Sequence, residues 1–148
     1  MPEPSTLYLV KRLELAIRAV LDDVLRPHGL TAPQYTALTA LAQRDATRGD
    51  GLTSAQLARR SFVTPQTMHE QVTALERAGL VSREPDAANR RVLRVRLTEH
   101  GRDRMRDCAD VVDELEGLVE GALGPEQRDG FRDALTRALA AVEPVARG

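Results

Sequence analysis

Apolar side chains recur at helical spacing near the start of the chain. Leu9, Leu13, Ile17, Val20, Leu21, Val24 and Leu25 mark one face of a long amphipathic helix over residues 6 to 26. Pro27, His28 and Gly29 stop it. Thr31, with Gln34 three places on, has the spacing of a capping box and opens a second helix through Tyr35, Leu38 and Leu41. RDATRGDG (44–51) is polar and turn-prone and is expected to be a loop. Thr53 and Gln56 repeat the capping-box spacing ahead of a short helix through Leu57 and Arg60, followed by a turn at Ser61, Phe62 and Val63. Thr64 caps the next helix, with Pro65 at its first position, where a missing N–H costs nothing, and Gly79 ends it.

The period then drops to that of a strand. LVSRE (80–84) and VLRVRL (92–97) read as two short strands around a polar hairpin tip, PDAANRR. Thr98 caps a helix through Met105, Val111, Val112, Leu115 and Leu118, which Gly124 and Pro125 break, and a last helix carries Phe131, Leu135, Leu139 and Val142. The expected fold is mainly α with a small β-hairpin wing. A single domain over residues 1–148 is expected, with a winged helix-turn-helix region at 31–100 between outer helices at 1–30 and 101–148. A small winged unit does not need outer helices of that length. The simplest cover for their apolar faces is each other and a second copy of the chain, so a homodimer is expected.

Composition changes this picture little. Apolar content of 42% and charged content of 29% fit a globular chain, and no apolar run approaches the roughly 18 residues of a membrane span. The amino terminus lacks the pattern of a secretory signal, and the single Cys108 can form no internal disulfide, so a cytoplasmic location is expected. The distribution of charge says more. The chain has a net charge of −1, yet from Arg59 to Arg96 eight arginines stand against four acids, Glu70, Glu76, Glu84 and Asp86. Lys11 is the only lysine, so the cationic charge is almost wholly guanidinium, suited to bidentate contacts with phosphates and bases.

On a helical wheel of residues 65 to 78, Met68, Val72 and Leu75 fall within roughly 60° of one another as a buried face. Opposite them stand Gln66, Glu70, Thr73 and Arg77, flanked by Thr67 and His69. Such a helix can enter a major groove about 12 Å wide, where Gln66 suits adenine, Glu70 cytosine N4 and Thr73 a thymine methyl. Arg90 and Arg91 at the hairpin tip suit a narrow minor groove, and Arg59 and Arg60 are placed for phosphates. Arg94 and Arg96 alternate on one strand and share a side. The candidate DNA-binding residues are therefore Arg59, Thr64, Gln66, Thr67, His69, Glu70, Thr73, Arg90 and Arg91.

VTPQTMHEQVTALERAGLV (63–81) and NRRVLRVRLTEHG (89–101) resemble the multiple antibiotic resistance regulator (MarR) family. The first is similar to that family's recognition helix with its Leu-Glu-x-x-Gly-Leu-Val ending, the second to its wing and Leu-Thr-x-x-Gly. Asn89 stands where the family pattern has Asp, so the usual ionic support for Arg91 is missing unless Asp86 supplies it. Glu70 stands where many members carry a basic residue, and Phe62 where Gly is frequent. The resemblance implies a dimer on an inverted-repeat operator, usually a repressor that a small molecule loosens. It places a pocket between the outer helices and the reader, with Tyr35, His28 and Arg12 as candidates for a small aromatic or anionic ligand, and calls for no cofactor.

Two alternatives stay open: a winged-helix module that binds protein, and a metal-responsive regulator. His69 and Glu70 imitate the start of a zinc-protease motif, but Thr73 occupies the second ligand position and no histidine or cysteine pair has metal-site spacing. Cys108, near Met105 and Val112, reads as core. Neither a glycine-rich phosphate loop nor a Gly-x-Ser-x-Gly elbow is present, so the chain is not expected to be an enzyme.

Overall fold

The computed structural model describes residues 1–146, which form six α-helices and a three-stranded antiparallel sheet. α1 (Thr6–Leu25) starts where Ser5 Oγ accepts from the Tyr8 N–H, and a 3-10 turn (Arg26–His28) ends in left-handed Gly29. α2 (Ala32–Thr47) opens on the expected capping box: Gln34 N–H donates to Thr31 Oγ1 at 3.3 Å, and Thr31 N–H donates to Gln34 Oε1 at 3.1 Å. The loop expected at 44–51 is shorter than its composition implied. Residues Arg44 to Thr47 are helical, and the Arg44 guanidinium donates twice to Asp50, at 2.6 and 3.1 Å, folding the remaining turn back on the helix end.

β1 (Leu52–Thr53) gave no sequence signal, being too short to alternate; it pairs Leu52 with Val95. α3 (Ser54–Ser61) carries the second capping box, of Thr53 and Gln56. Ser61 closes α3 instead of opening the turn, and Phe62 turns the chain in left-handed backbone, φ 53°. α4 (Pro65–Arg77) is capped by Thr64, whose Oγ1 accepts from the Thr67 N–H at 3.1 Å. β2 (Val81–Pro85) and β3 (Leu93–Leu97) form the hairpin, with Val81 opposite Leu97 and Arg83 opposite Val95, in the order β1-β3-β2.

The core lies under this unit. Leu38, Leu57, Met68, Val72 and Val95 are all buried, and Cys108 joins them from α5 (Glu99–Gly121). α5 sits directly on the backbone entering β2: a Cβ on Gly101 would lie 2.1 Å from the Leu80 carbonyl oxygen. Thr98 fixes that approach, its Oγ1 donating to the Gly79 carbonyl at 2.6 Å and accepting from the Gly101 N–H at 3.0 Å. The Leu-Thr-x-x-Gly spacing thus has a steric cause.

The outer helices bury little. α1 buries only Leu25, and α6 (Pro125–Ala146) buries no residue. Leu7, Tyr8, Leu9 and Val10 on α1 and Leu139, Val142 and Val145 on α6 stay exposed. The last two positions of the 101–148 segment lie outside the described residues. Among the described residues no helix is long and apolar enough to cross a membrane.

Candidate nucleic-acid interface

α3 and α4 pack across the Phe62 turn, and burial of Met68, Val72 and Leu75 leaves the opposite side of α4 open. Gln66, His69, Glu70 and Arg77 are exposed there, with Thr64 at the cap. Gln66 Nε2 donates to Glu70 Oε1 at 3.2 Å, so the two polar ends form one unit on the surface. Thr67 lies at the side, its Oγ1 accepting from the Thr64 hydroxyl at 3.0 Å. Thr73 is half-buried and already engaged: Arg83 donates to its Oγ1 at 3.0 Å.

Arg83 is the residue whose role the sequence hid. It reads as one more surface cation, but it shares the inner face of the sheet with Val95 and runs beneath the wing to α4. Its Nε is buried without a hydrogen-bond partner among the described residues, 4.0 Å from the Glu76 carboxylate. Only the order of strands decides that direction.

A line of alternating charges supports the wing. Arg94 Nε donates to Asp86 at 2.6 Å, Arg94 Nη1 stands 3.9 Å from Asp50, and Asp50 holds Arg44 at the end of α2. The other Asp86 oxygen accepts from the N–H groups of Ala88 and Asn89, at 3.2 and 3.0 Å, shaping the hairpin tip. The hydrogen bond from Arg94, then the Asn89 N–H, holds the Asp86 carboxyl below the usual aspartate range; Arg44 does the same for Asp50. Asp86 therefore supports Arg94, not Arg91, and Asn89 Oδ1 accepts the Arg91 N–H at 3.2 Å. Arg96 is tied down as well, to the Gly49 carbonyl and, at 3.8 Å, to Glu84. Arg94 and Arg96 do share a face as expected, and both are spent on the protein. Among the described residues Arg59, Arg60, Arg77, Arg90 and Arg91 are in no ion pair, and all five are exposed.

A cavity of about 630 Å³ lies between α1, the start of α2, the α3–α4 turn and Leu135 of α6. Tyr35, His28 and Arg12 do not line it. Tyr35 is half-buried against the core, and burial raises its phenol pKa. The His28 carbonyl accepts from Arg104 at 2.7 Å, joining the 3-10 turn to α5, while the Arg12 guanidinium lies 5.8 Å from the Tyr8 ring centroid. Arg18, Glu14, Ser61, Thr67 and Gln71 are the polar residues that reach the cavity, along with Thr36. Ser61 read as turn, and Gln71 was not singled out. For Gln71, its position beside Met68 and Val72 at the edge of the apolar arc of α4 was the available signal. Among the described residues no group of three or more His, Cys, Asp or Glu is arranged to hold a metal ion.

Two helices across a tight turn, the second open on its polar side, with free guanidinium groups on an adjoining hairpin, define a winged helix-turn-helix nucleic-acid-binding protein. The MarR family profile matches residues 28–92. The HTH-type transcriptional repressor Rv2887 of Mycobacterium tuberculosis (strain ATCC 25618 / H37Rv) is 36% identical over 123 residues, 82% of this chain and 85% of its own length. The chain belongs to the MarR family of transcriptional regulators. Solved structures of the Mycobacterium tuberculosis MarR family protein Rv2887 are similar at TM-score 0.71 and 32% identity. One is a complex with DNA, covering 92% of this chain and 98% of that one; the other is a complex with salicylic acid, covering 92% and 97%.

Proposed function

We propose that this chain is a cytoplasmic repressor that binds an inverted-repeat operator as a homodimer and is released by a small molecule. Residues 31–100 form the DNA-reading unit, and the helices at 1–30 and 101–148 join the two copies. α4 enters the major groove with Gln66, His69 and Glu70 toward base edges and Thr64 and Thr67 near its start. Thr73 stands beside them, steered by Arg83. Arg90 and Arg91 enter the neighbouring minor groove, and Arg59 meets phosphate. The two recognition helices then stand about one DNA turn, roughly 34–36 Å, apart.

One observation carries this reading. Arg59 and Arg60 of α3, Arg77 of α4 and Arg90 and Arg91 at the hairpin tip are exposed and in no ion pair among the described residues, while Arg83, Arg94 and Arg96 on the strands are paired within the protein. The exposed apolar faces of α1 and α6 support the dimer. The complexes of Rv2887 with DNA and with salicylic acid support operator binding and release by a ligand.

The test is fluorescence anisotropy with a labelled duplex from upstream of the protein's own gene, at two salt concentrations, against scrambled competitor. Competitor-resistant binding at two chains per duplex is expected. If no genomic fragment is preferred over scrambled DNA, the reading fails and a protein-binding winged helix takes its place.

A further inference from the structure

We propose that Glu70 sets the base preference of α4 by accepting from the exocyclic amine of cytosine, and that Gln66 holds Glu70 in place instead of reading a base itself. This rests on the DNA-reading proposal above and names the base pair that the helix selects.

An acid on a surface that meets a polyanion needs a reason. α4 carries two, Glu70 and Glu76. Glu76 has the Arg83 guanidinium of β2 4.0 Å away. Glu70 is exposed and in no ion pair among the described residues, although Arg59, Arg60, Arg77, Arg90 and Arg91 of the same unit are unpaired as well. Its Oε1 accepts instead from Gln66 Nε2, at 3.2 Å, from one helical turn earlier. Beside phosphates that negative charge weakens binding to DNA of any sequence. The loss is offset only where the DNA supplies a donor, so the charge favours some bases over others.

The bond between the two side chains sorts the choices. A glutamine reads adenine by turning its amide to N6 and N7 together, and here the amide is turned to Glu70. The Glu70 carboxylate offers acceptors only. In the major groove the donors are the cytosine N4 and adenine N6 amines, while guanine presents acceptors and thymine an acceptor and a methyl. Adenine sets its N7 acceptor beside the amine, where it faces a carboxylate unfavourably. Cytosine sets no acceptor of its own there. The matching pair is therefore C·G, once in each half of the operator.

The test is selection of duplexes from a randomised pool by the full chain, with the enriched site then carried into an anisotropy titration. Cytosine is expected at one position of each half-site, and exchange of that C·G pair for any of the other three should weaken binding about tenfold. Glu70→Ala should bind the four versions within about twofold of one another and keep the preferences at other positions. It should also bind scrambled duplex about threefold tighter, since a negative charge has left the interface. A residue that merely held the fold together would lose both kinds of binding. Gln66→Ala should keep cytosine first by a margin reduced to about threefold. An undiminished margin in that variant overturns the positioning part of Gln66. Adenine preferred at the position that Glu70→Ala levels overturns the assignment to cytosine. If Glu70→Ala levels no position, or binds scrambled duplex more weakly, the role of Glu70 is overturned while the DNA-reading unit stands. A pool from which no sequence is enriched overturns this proposal and operator binding together.

Discussion

The unit from α2 to the first turns of α5 and the helices around it are built from the same kind of amphipathic helix, yet they end in opposite states. In the reader the apolar arc of α4 is wholly buried, and α3 and β2 pack against that helix. On α6, by contrast, Leu139 and Val142 keep half or more of their surface in water, at 51% and 60%. Apolar side chains repeating along one helix face cost free energy in solvent unless something covers them. The reader is finished by its own chain; the outer helices keep apolar faces that their own chain leaves uncovered.

That contrast is open to attack from both sides. Leu38→Ala, at a site with no exposure, should cost about 2–5 kcal/mol of stability in a denaturant titration. A loss below about 1 kcal/mol would mean the reader is not the close-packed part. Leu139→Glu with Val142→Glu should leave the helical signal of the reader intact and convert a two-chain species to one in sedimentation. Operator affinity should then drop about a hundredfold, as the second half-site no longer acts in concert. A variant that stays two-chain would move the interface off α6.

Smaller effects test the wing. Arg90→Ala with Arg91→Ala should lower affinity and flatten the dependence of log affinity on log salt by about two units. Asp86→Asn gives a sharper result because the expected sign is unusual. Removing an anion beside DNA should by simple attraction strengthen binding, yet here it frees Arg94 and the hairpin tip. A loss of about threefold or more is expected in the duplex titration, and a gain would show that the ladder does not position the tip.

The smallest effect is in pH. Asp50 and Asp86 titrate lower in the folded chain than their ordinary 3.8, chiefly through Arg44 and Arg94. Their contribution is therefore complete above that value and is lost as pH falls below it through the folded pKa values. Melting followed from pH 5 down to 2.5 should show a shallower acid decline in Asp50→Asn than in the parent. Parallel declines would leave Asp50 without a part in acid sensitivity.

What was legible in the sequence was local. Thr31 with Gln34, Thr53 with Gln56, and Thr64 before Pro65 each mark a helix start within four residues, and each does so in the structure. What stayed hidden depended on distant neighbours. β1 exists only because β3 offers it an edge. The end of α2 runs on because Arg44 finds Asp50. Arg83 turns inward because Val95 lies opposite it, and Ser61 and Gln71 come to line one cavity only because five helices surround it. For the same reason Tyr35, His28 and Arg12 looked suited to a ligand: their side-chain chemistry is visible in the sequence, but the walls of a cavity are not.

Moving the wing's ionic support to the Asp86–Arg94 pair changes what position 89 must do. Asn89 supplies only an acceptor for the Arg91 N–H and a backbone carbonyl for Val92, tasks that aspartate or serine performs equally well. In terms of tolerated substitution, position 89 is released to vary and positions 86 and 94 become locked to each other. A change at either of those two calls for a matching change at the other.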